Sequence, residues 1–200
     1  MPQYFDNVEN LAHEDITYSF SIFEKRYTFV SDAGVFSKDG LDDGSRLLLE
    51  TIAKTDLGSE ILDLGCGIGP IGLVLADVDH NRKVTLADVN LRALECARKN
   101  ATSLGLIPNN VTILESDVYS SLDGKRFSTI VTNPPIRAGK KVTYAMYAGA
   151  IDHLHQGGQL ILVIRKKQGA ESCEAYLRTL FPEVTKVASK KGFRILIAKK

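Results

Sequence analysis

Two hundred residues, 44% of them hydrophobic, suffice for one globular domain with a sizeable core. No apolar run approaches the roughly 20 residues that a bilayer-spanning helix needs. Residues 1–15 carry acids without a basic leader, so a cytoplasmic protein without membrane span or secretory signal is expected. The net charge of +1 hides a split: residues 134–200 hold 13 of the 25 Lys/Arg but only 4 of the 24 Asp/Glu. Cys66, Cys96 and Cys173 lack CxxC spacing, which favours reduced thiols over a disulfide framework. The scattered histidines form no metal-ligand cluster, and no metal is expected.

In chain order, residues 16–31 alternate apolar and polar side chains on both sides of Glu24–Arg26, the pattern of a β-hairpin. Residues 45–54 have helical spacing with Ser45 as N-cap. From residue 60, strands are predicted at 60–65, 83–88, 110–116, 127–133 and 158–165. Helical patterns at 70–77, 91–104 and 143–155 alternate with them. A further helix at 170–181 precedes two last strands joined by Ser189-Lys190-Lys191-Gly192, an antiparallel edge hairpin. Alternating strands and helices predict an α/β fold: a doubly wound, Rossmann-like sheet of seven mostly parallel strands. Residues 1–44 are expected to pack as a small extension on a domain of residues 45–200.

The loop after the first core strand reads LDLGCGIGPIG, residues 62–72. Gly67, Gly69 and Gly72 alone match the pattern of dinucleotide folds, where Asp88 would hold ribose hydroxyls. Three details favour a different ligand. Asp63, just ahead of the glycines, suits an ammonium better than a pyrophosphate. Gly65 extends the glycine run at its front. Asp117 ends the third strand, where it can accept from an adenine amine. An acid after each of three successive strands fits a cationic amino-acid nucleoside such as S-adenosyl-L-methionine.

On GVFSKDGLDDGSRLLL (34–49), ILDLGCGIGPIG (61–72), LADVN (86–90), TNPPIRAGK (132–140) and KKGFRIL (190–196), residues 30–200 resemble class I S-adenosylmethionine-dependent methyltransferases. The resemblance is strongest to the catalytic domain of RsmC-type ribosomal RNA guanine-N2 methyltransferases. It implies that Asp63 and the backbone of Gly65 and Gly67, in a loop completed by Gly69, face the methionine part of the cofactor. Asp88 would then take the ribose, Val89 and Val118 the adenine faces, and Asp117 the adenine amine. Phe36, Ser37 and Asp42 would close over the cofactor from the other side, with Asn133 beside it. The implied partner is ribosomal RNA or the small ribosomal subunit. Many RsmC-type proteins carry a second, degenerate domain, and none is expected within these 200 residues.

Asn133-Pro134-Pro135-Ile136 ends the fourth core strand. Proline fixes φ near −65° and biases the preceding residue towards extended backbone, so the turn is expected to hold two acceptors, the Asn133 side-chain oxygen and the Pro134 carbonyl. Two fixed acceptors suit a planar NH₂ group. Many amino-methyltransferases have an aromatic after Asn-Pro-Pro; Ile136 departs from that pattern and removes the π contribution to base stacking. Basic clusters at Arg137, Lys140 and Lys141, at Arg165, Lys166 and Lys167, and at Lys190, Lys191 and Arg194 read either as solvated loop edges or as a face for a polyanion. Two other functions stay open here: methylation of a protein glutamine amide, and a non-catalytic cofactor- or RNA-binding module.

Overall fold

The computed structural model describes residues 15–32 and 40–200. Phe36 and Ser37 lie outside them. Strands β1 (Asp15–Ile22) and β2 (Lys25–Asp32) form an antiparallel hairpin. The sequence places its turn at Glu24–Arg26; it falls at Phe23 and Glu24, both at positive φ. The remaining strands are β3 (Glu60–Leu64), β4 (Lys83–Asp88), β5 (Val111–Glu115), β6 (Phe127–Thr132), β7 (Leu154–Arg165), β8 (Glu183–Lys190) and β9 (Phe193–Lys199). They form one sheet of order β5-β4-β3-β6-β7-β9-β8, parallel from β5 to β7 and antiparallel at β9 and β8. The seven-stranded α/β fold with its edge hairpin is thus as predicted.

Continuous apolar strands are what a sheet covered on both faces requires. Alternate residues serve opposite cores: Ile61, Leu86, Val131 and Ile161 join one, while Leu62, Ala87, Ile130 and Leu162 join the other. The first core is closed by α1 (Asp43–Ile52), α2 (Pro70–Val78), α3 (Leu91–Ser103) and the hairpin. The second is closed by α4 (Lys140–His153) and α5 (Ala170–Leu180). The chain leaves β5 to return beside β3, so the topological switch point lies between β3 and β6, the crevice where such sheets bind ligands.

Three local expectations are corrected. Asp42, not Ser45, caps α1: its carboxylate accepts from the N–H groups of Gly44 and Ser45 at 2.9 and 3.1 Å, and the helix opens two residues early. Helix α4 starts at Lys140 and not at Thr143, whose hydroxyl donates back to the Gly139 and Lys140 carbonyls. Leu154 and His155 belong to β7, which follows α4 without a loop.

The hairpin is fastened by buried Asn100 of α3. The Val30 N–H donates to Asn100 Oδ1 at 2.7 Å, and Asn100 Nδ2 donates to the Val30 and Ile68 carbonyls at 3.0 and 3.1 Å. Asn100→Ala would leave three backbone groups without that partner. It is expected to cost about 2 kcal/mol, read as a lower urea midpoint at unchanged slope. No helix among the described residues is long and apolar enough to cross a membrane.

Candidate active site

Because β3, β4, β5 and β6 run parallel, their carboxyl ends place Gly65, Asp88, Asp117 and Asn133 along one edge. The β3–α2 loop is shaped by glycines: Gly65, Gly67 and Gly69 have φ of 71°, 56° and 89°, the left-handed region that glycine enters without strain. The Gly65 and Cys66 N–H groups donate to the Ala87 carbonyl, tying the loop to the end of β4. At Gly69 a Cβ would come within 2.8 Å of Leu86, and at Gly72 within 3.0 Å of Asp63, so both sites need the bare backbone for packing. At Gly65 it would meet only Met146, at 3.5 Å. There the glycine keeps space open beside the backbone.

Asp63 is fully buried. Its Oδ2 accepts from the Gly72 N–H at 2.7 Å, while Oδ1 has no hydrogen-bond partner among the described residues. Burial pushes its pKa up to about 7, helped by nearby Asp88 and opposed by the Gly72 hydrogen bond. A buried, unpartnered carboxylate oxygen is costly unless something cationic meets it. Asp88, 4% exposed, accepts from Gly67 N–H through Oδ2 at 2.8 Å and from Asn90 N–H through Oδ1 at 2.9 Å. It therefore shapes the glycine loop, a task the sequence did not reveal.

Asp117 is exposed just past the end of β5, and its N–H donates to Ser120 Oγ at 3.0 Å. Val118 next to it has φ 54°, an uncommon conformation for a β-branched residue. Ser116 holds that turn by donating to the Val118 carbonyl at 3.0 Å and accepting from Ser121 N–H at 3.1 Å. Val89 and Val118, both partly exposed, follow the ends of paired strands. Cys66 is buried, its thiol pushed well above the ordinary range by desolvation, and is inert.

Asn133 follows β6 across the switch point. Its Nδ2 donates to Ser45 Oγ at 3.0 Å and faces both oxygens of Asp42 at 3.4 Å. Its Oδ1 makes no hydrogen bond among the described residues. The Pro134 carbonyl is less free than expected. Pro135, at φ −75° and ψ 80°, forms an inverse γ-turn in which Ile136 N–H donates to that carbonyl at 2.9 Å. One lone pair of the carbonyl remains open. Ile136 shares a small cavity of about 40 Å³ with Lys140, Tyr144 and Gln168. An aromatic thus stands beside position 136, supported by a stacked Tyr176 at 4.1 Å, though not at the position itself.

The structure divides the basic clusters. Arg165 lies 4.7 Å over the Phe193 ring, Lys190 faces Glu50 at 3.7 Å, Lys191 pairs with Asp43 at 2.9 Å, and Arg194 faces Glu171 at 3.8 Å. Arg137, Lys140, Lys141, Lys166 and Lys167 are exposed without an ion pair among the described residues, near the carboxyl ends of β6 and β7.

The orphaned Asp63 oxygen and the open backbone at Gly65 are what a ligand with an ammonium and an amino-acid backbone would fill. With Asn-Pro-Pro across the switch point, the fold and site are those of a class I S-adenosylmethionine-dependent methyltransferase, and S-adenosylmethionine is its cofactor. The chain belongs to the methyltransferase small domain family, whose sequence profile it matches over residues 26–197. It is 45% identical to the uncharacterized protein YbxB of Bacillus subtilis (strain 168), over 98% of each chain. It is 37% identical over 176 residues to the ribosomal RNA small subunit methyltransferase C of Aeromonas hydrophila, covering 86% of this chain and 49% of that one. The solved 16S rRNA N2 G1207 methyltransferase (RsmC) of T. thermophilus, in complex with AdoMet and guanosine, superposes with a TM-score of 0.82 at 29% identity. That match covers 92% of this chain and 50% of that one, so the chain spans about half the length of these RsmC relatives.

Proposed function

We propose that this chain methylates an exocyclic base amine in ribosomal RNA, and that the amine is N2 of a guanine in the small subunit. The observation that carries the reading is the Asn133 amide: its nitrogen is engaged by Ser45 and Asp42, which leaves Oδ1 as an acceptor. The lone pair of a base amine is delocalised into the ring, and the nitrogen is a poor nucleophile. Asn133 Oδ1 accepts one N–H and the open side of the Pro134 carbonyl accepts the other. Holding both favours a tetrahedral nitrogen with its lone pair directed outward. This is positioning and electrostatic stabilisation, and it needs no dedicated base, since the proton leaves once the nitrogen has become acidic.

When bound, S-adenosylmethionine supplies the methyl group on a positively charged sulfur. Asp63 and the backbone of Gly65 and Gly67 hold its methionine part, with Gly69 completing the loop. Asp88 holds the ribose, Val89 and Val118 flank the adenine, and Asp117 takes the adenine amine. Ile136 and Tyr144 flank the target base, and the five exposed cations near the carboxyl ends of β6 and β7 meet phosphates. The sequence similarity to methyltransferases of small-subunit rRNA supports the acceptor class, and with it a cytoplasmic location.

The test is transfer of labelled methyl to small subunits lacking the modification, with naked rRNA, large subunits and total protein as parallel acceptors. Label in small-subunit RNA, digested to N2-methylguanosine, supports the reading; label in protein replaces it with a glutamine-type acceptor. Replacing Lys140, Lys141, Lys166 and Lys167 with alanine is expected to weaken RNA binding almost uniformly across sequences. The slope of log K on log salt should flatten by nearly one for each phosphate that is no longer neutralised.

A further inference from the structure

The two ends of the Asn133 amide are alike in shape and opposite in hydrogen-bonding sense. Half a turn about its last torsion exchanges the acceptor oxygen for a donor nitrogen at nearly the same place. If the substrate is an NH₂ group, only one orientation works, because the flipped amide would meet it donor to donor. The selection must come from the groups on the far side of the amide. Ser45 Oγ, 3.0 Å from Nδ2, cannot make it alone, since a hydroxyl both donates and accepts. Asp42 can. Its carboxylate only accepts, and with both oxygens 3.4 Å from Nδ2 a flipped amide would set oxygen against oxygen.

Asp42 is itself held in place. Its Oδ1 accepts the first free N–H groups of α1, from Gly44 and Ser45, as the cap of that helix. The same helix end is braced by the β8–β9 turn: Phe193 packs so close to Gly44 that a Cβ there would lie 2.9 Å from its ring, and Lys191 pairs with Asp43. One carboxylate therefore ends a helix and faces the side chain that would meet the substrate. The sequence resemblance gives Asp42 another task, closing over the cofactor.

We infer that Asp42 is a positioning residue for methyl transfer: without touching the substrate, it selects the orientation of the Asn133 amide, and Ser45 completes the pair. The inference rests on the reading of Asn133 as acceptor for the substrate amine. Asp42→Asn is the discriminating variant. Asparagine caps helices as well as aspartate does, so α1 is retained, but its own amide can donate to a flipped Asn133.

The variant is expected to lower kcat about 10- to 100-fold with whichever acceptor the wild type labels. The Kd for S-adenosylmethionine, from calorimetry, and the thermal midpoint should stay unchanged. Ser45→Ala should show a smaller loss that Ser45→Thr restores. In an Asn133→Ala background, Asp42→Asn should cost nothing further, because the group it acts through is gone. A second readout is independent of turnover. The side-chain ¹⁵NH₂ signals of Asn133, assigned by their absence in Asn133→Ala, should exchange slowly with solvent in the wild type and markedly faster in Asp42→Asn. Unchanged kcat and unchanged exchange overturn the inference while leaving the acceptor reading intact. Weakened cofactor binding with kcat preserved at saturation also overturns it and assigns Asp42 to the cofactor. Wild-type label in protein overturns the rRNA acceptor but leaves the same variants to test Asp42 with that amide; label in no acceptor overturns the proposed function, and amide exchange still decides the orientation.

Discussion

Replacing Asn133 with alanine is expected to lower kcat about 100- to 1,000-fold, or roughly 3–4 kcal/mol, while cofactor affinity stays within about threefold. The size follows from the role. Alanine removes the oxygen that would accept one N–H of the amine, an interaction that strengthens as that nitrogen gains positive charge, so the loss falls on the transition state and not on ground-state binding. Structural damage should be limited, because Asn133 is partly exposed and both its partners keep other contacts: Asp42 still caps α1, and Ser45 N–H still donates to it. Single-turnover transfer of labelled methyl, with calorimetry of cofactor binding, separates the terms. A variant that retains more than half of wild-type kcat would show that the Asn-Pro-Pro turn is only a strand end and that another group positions the amine.

The fold and the cofactor loop were legible because both are written locally. Strands buried on two faces must be apolar throughout, so β3, β4, β6 and β7 stand out, and Gly65, Gly67 and Gly69 mark positions where the chain needs positive φ. The cap of α1 was not legible, since Asp42, Asp43 and Ser45 are all good candidates by residue type. Tertiary structure decides it by drawing the Ser45 hydroxyl to Asn133, 88 residues further along the chain. The same separation hid the link between Asp42 and Asn133, which exists only because the N-terminus of α1 reaches the end of β6. The two prolines mark a turn, and a turn is what stands at Pro135. That Pro135 would bend the chain far enough for Ile136 N–H to reach the Pro134 carbonyl depends on ψ, which residue type does not fix. Tyr144 beside Ile136 was missed for a similar reason: on α4 it reads as one more apolar helix position.

The other large effect is expected at Asp63. Its folded-state pKa, about 7, lies above the unfolded value of 3.8, so folding favours the protonated acid. The stability this contributes is complete below pH 3.8 and is lost as the pH rises through 7. The ceiling, at about 1.4 kcal/mol per unit over roughly three units, is on the order of 4 kcal/mol. Asp63→Asn should remove this dependence, making the cofactor-free protein more stable by about 1–3 kcal/mol above pH 8. The same variant should weaken S-adenosylmethionine binding about 100-fold, because a neutral amide cannot balance the ammonium assigned to Oδ1. In the wild type, cofactor affinity should rise from about pH 5.5 to about pH 7, as Asp63 ionises to receive that ammonium, and fall above about pH 8, where an α-amino group loses its own proton. Binding below pH 7 then releases a proton, which calorimetry in two buffers of different ionisation enthalpy detects directly. Flat stability between pH 6 and pH 8.5, with no proton released on binding, would mean that Asp63 only orders the glycine loop through Gly72. The strain of a buried, unpartnered carboxylate in the free protein is thus read as the cost of a site built to be completed by a cation.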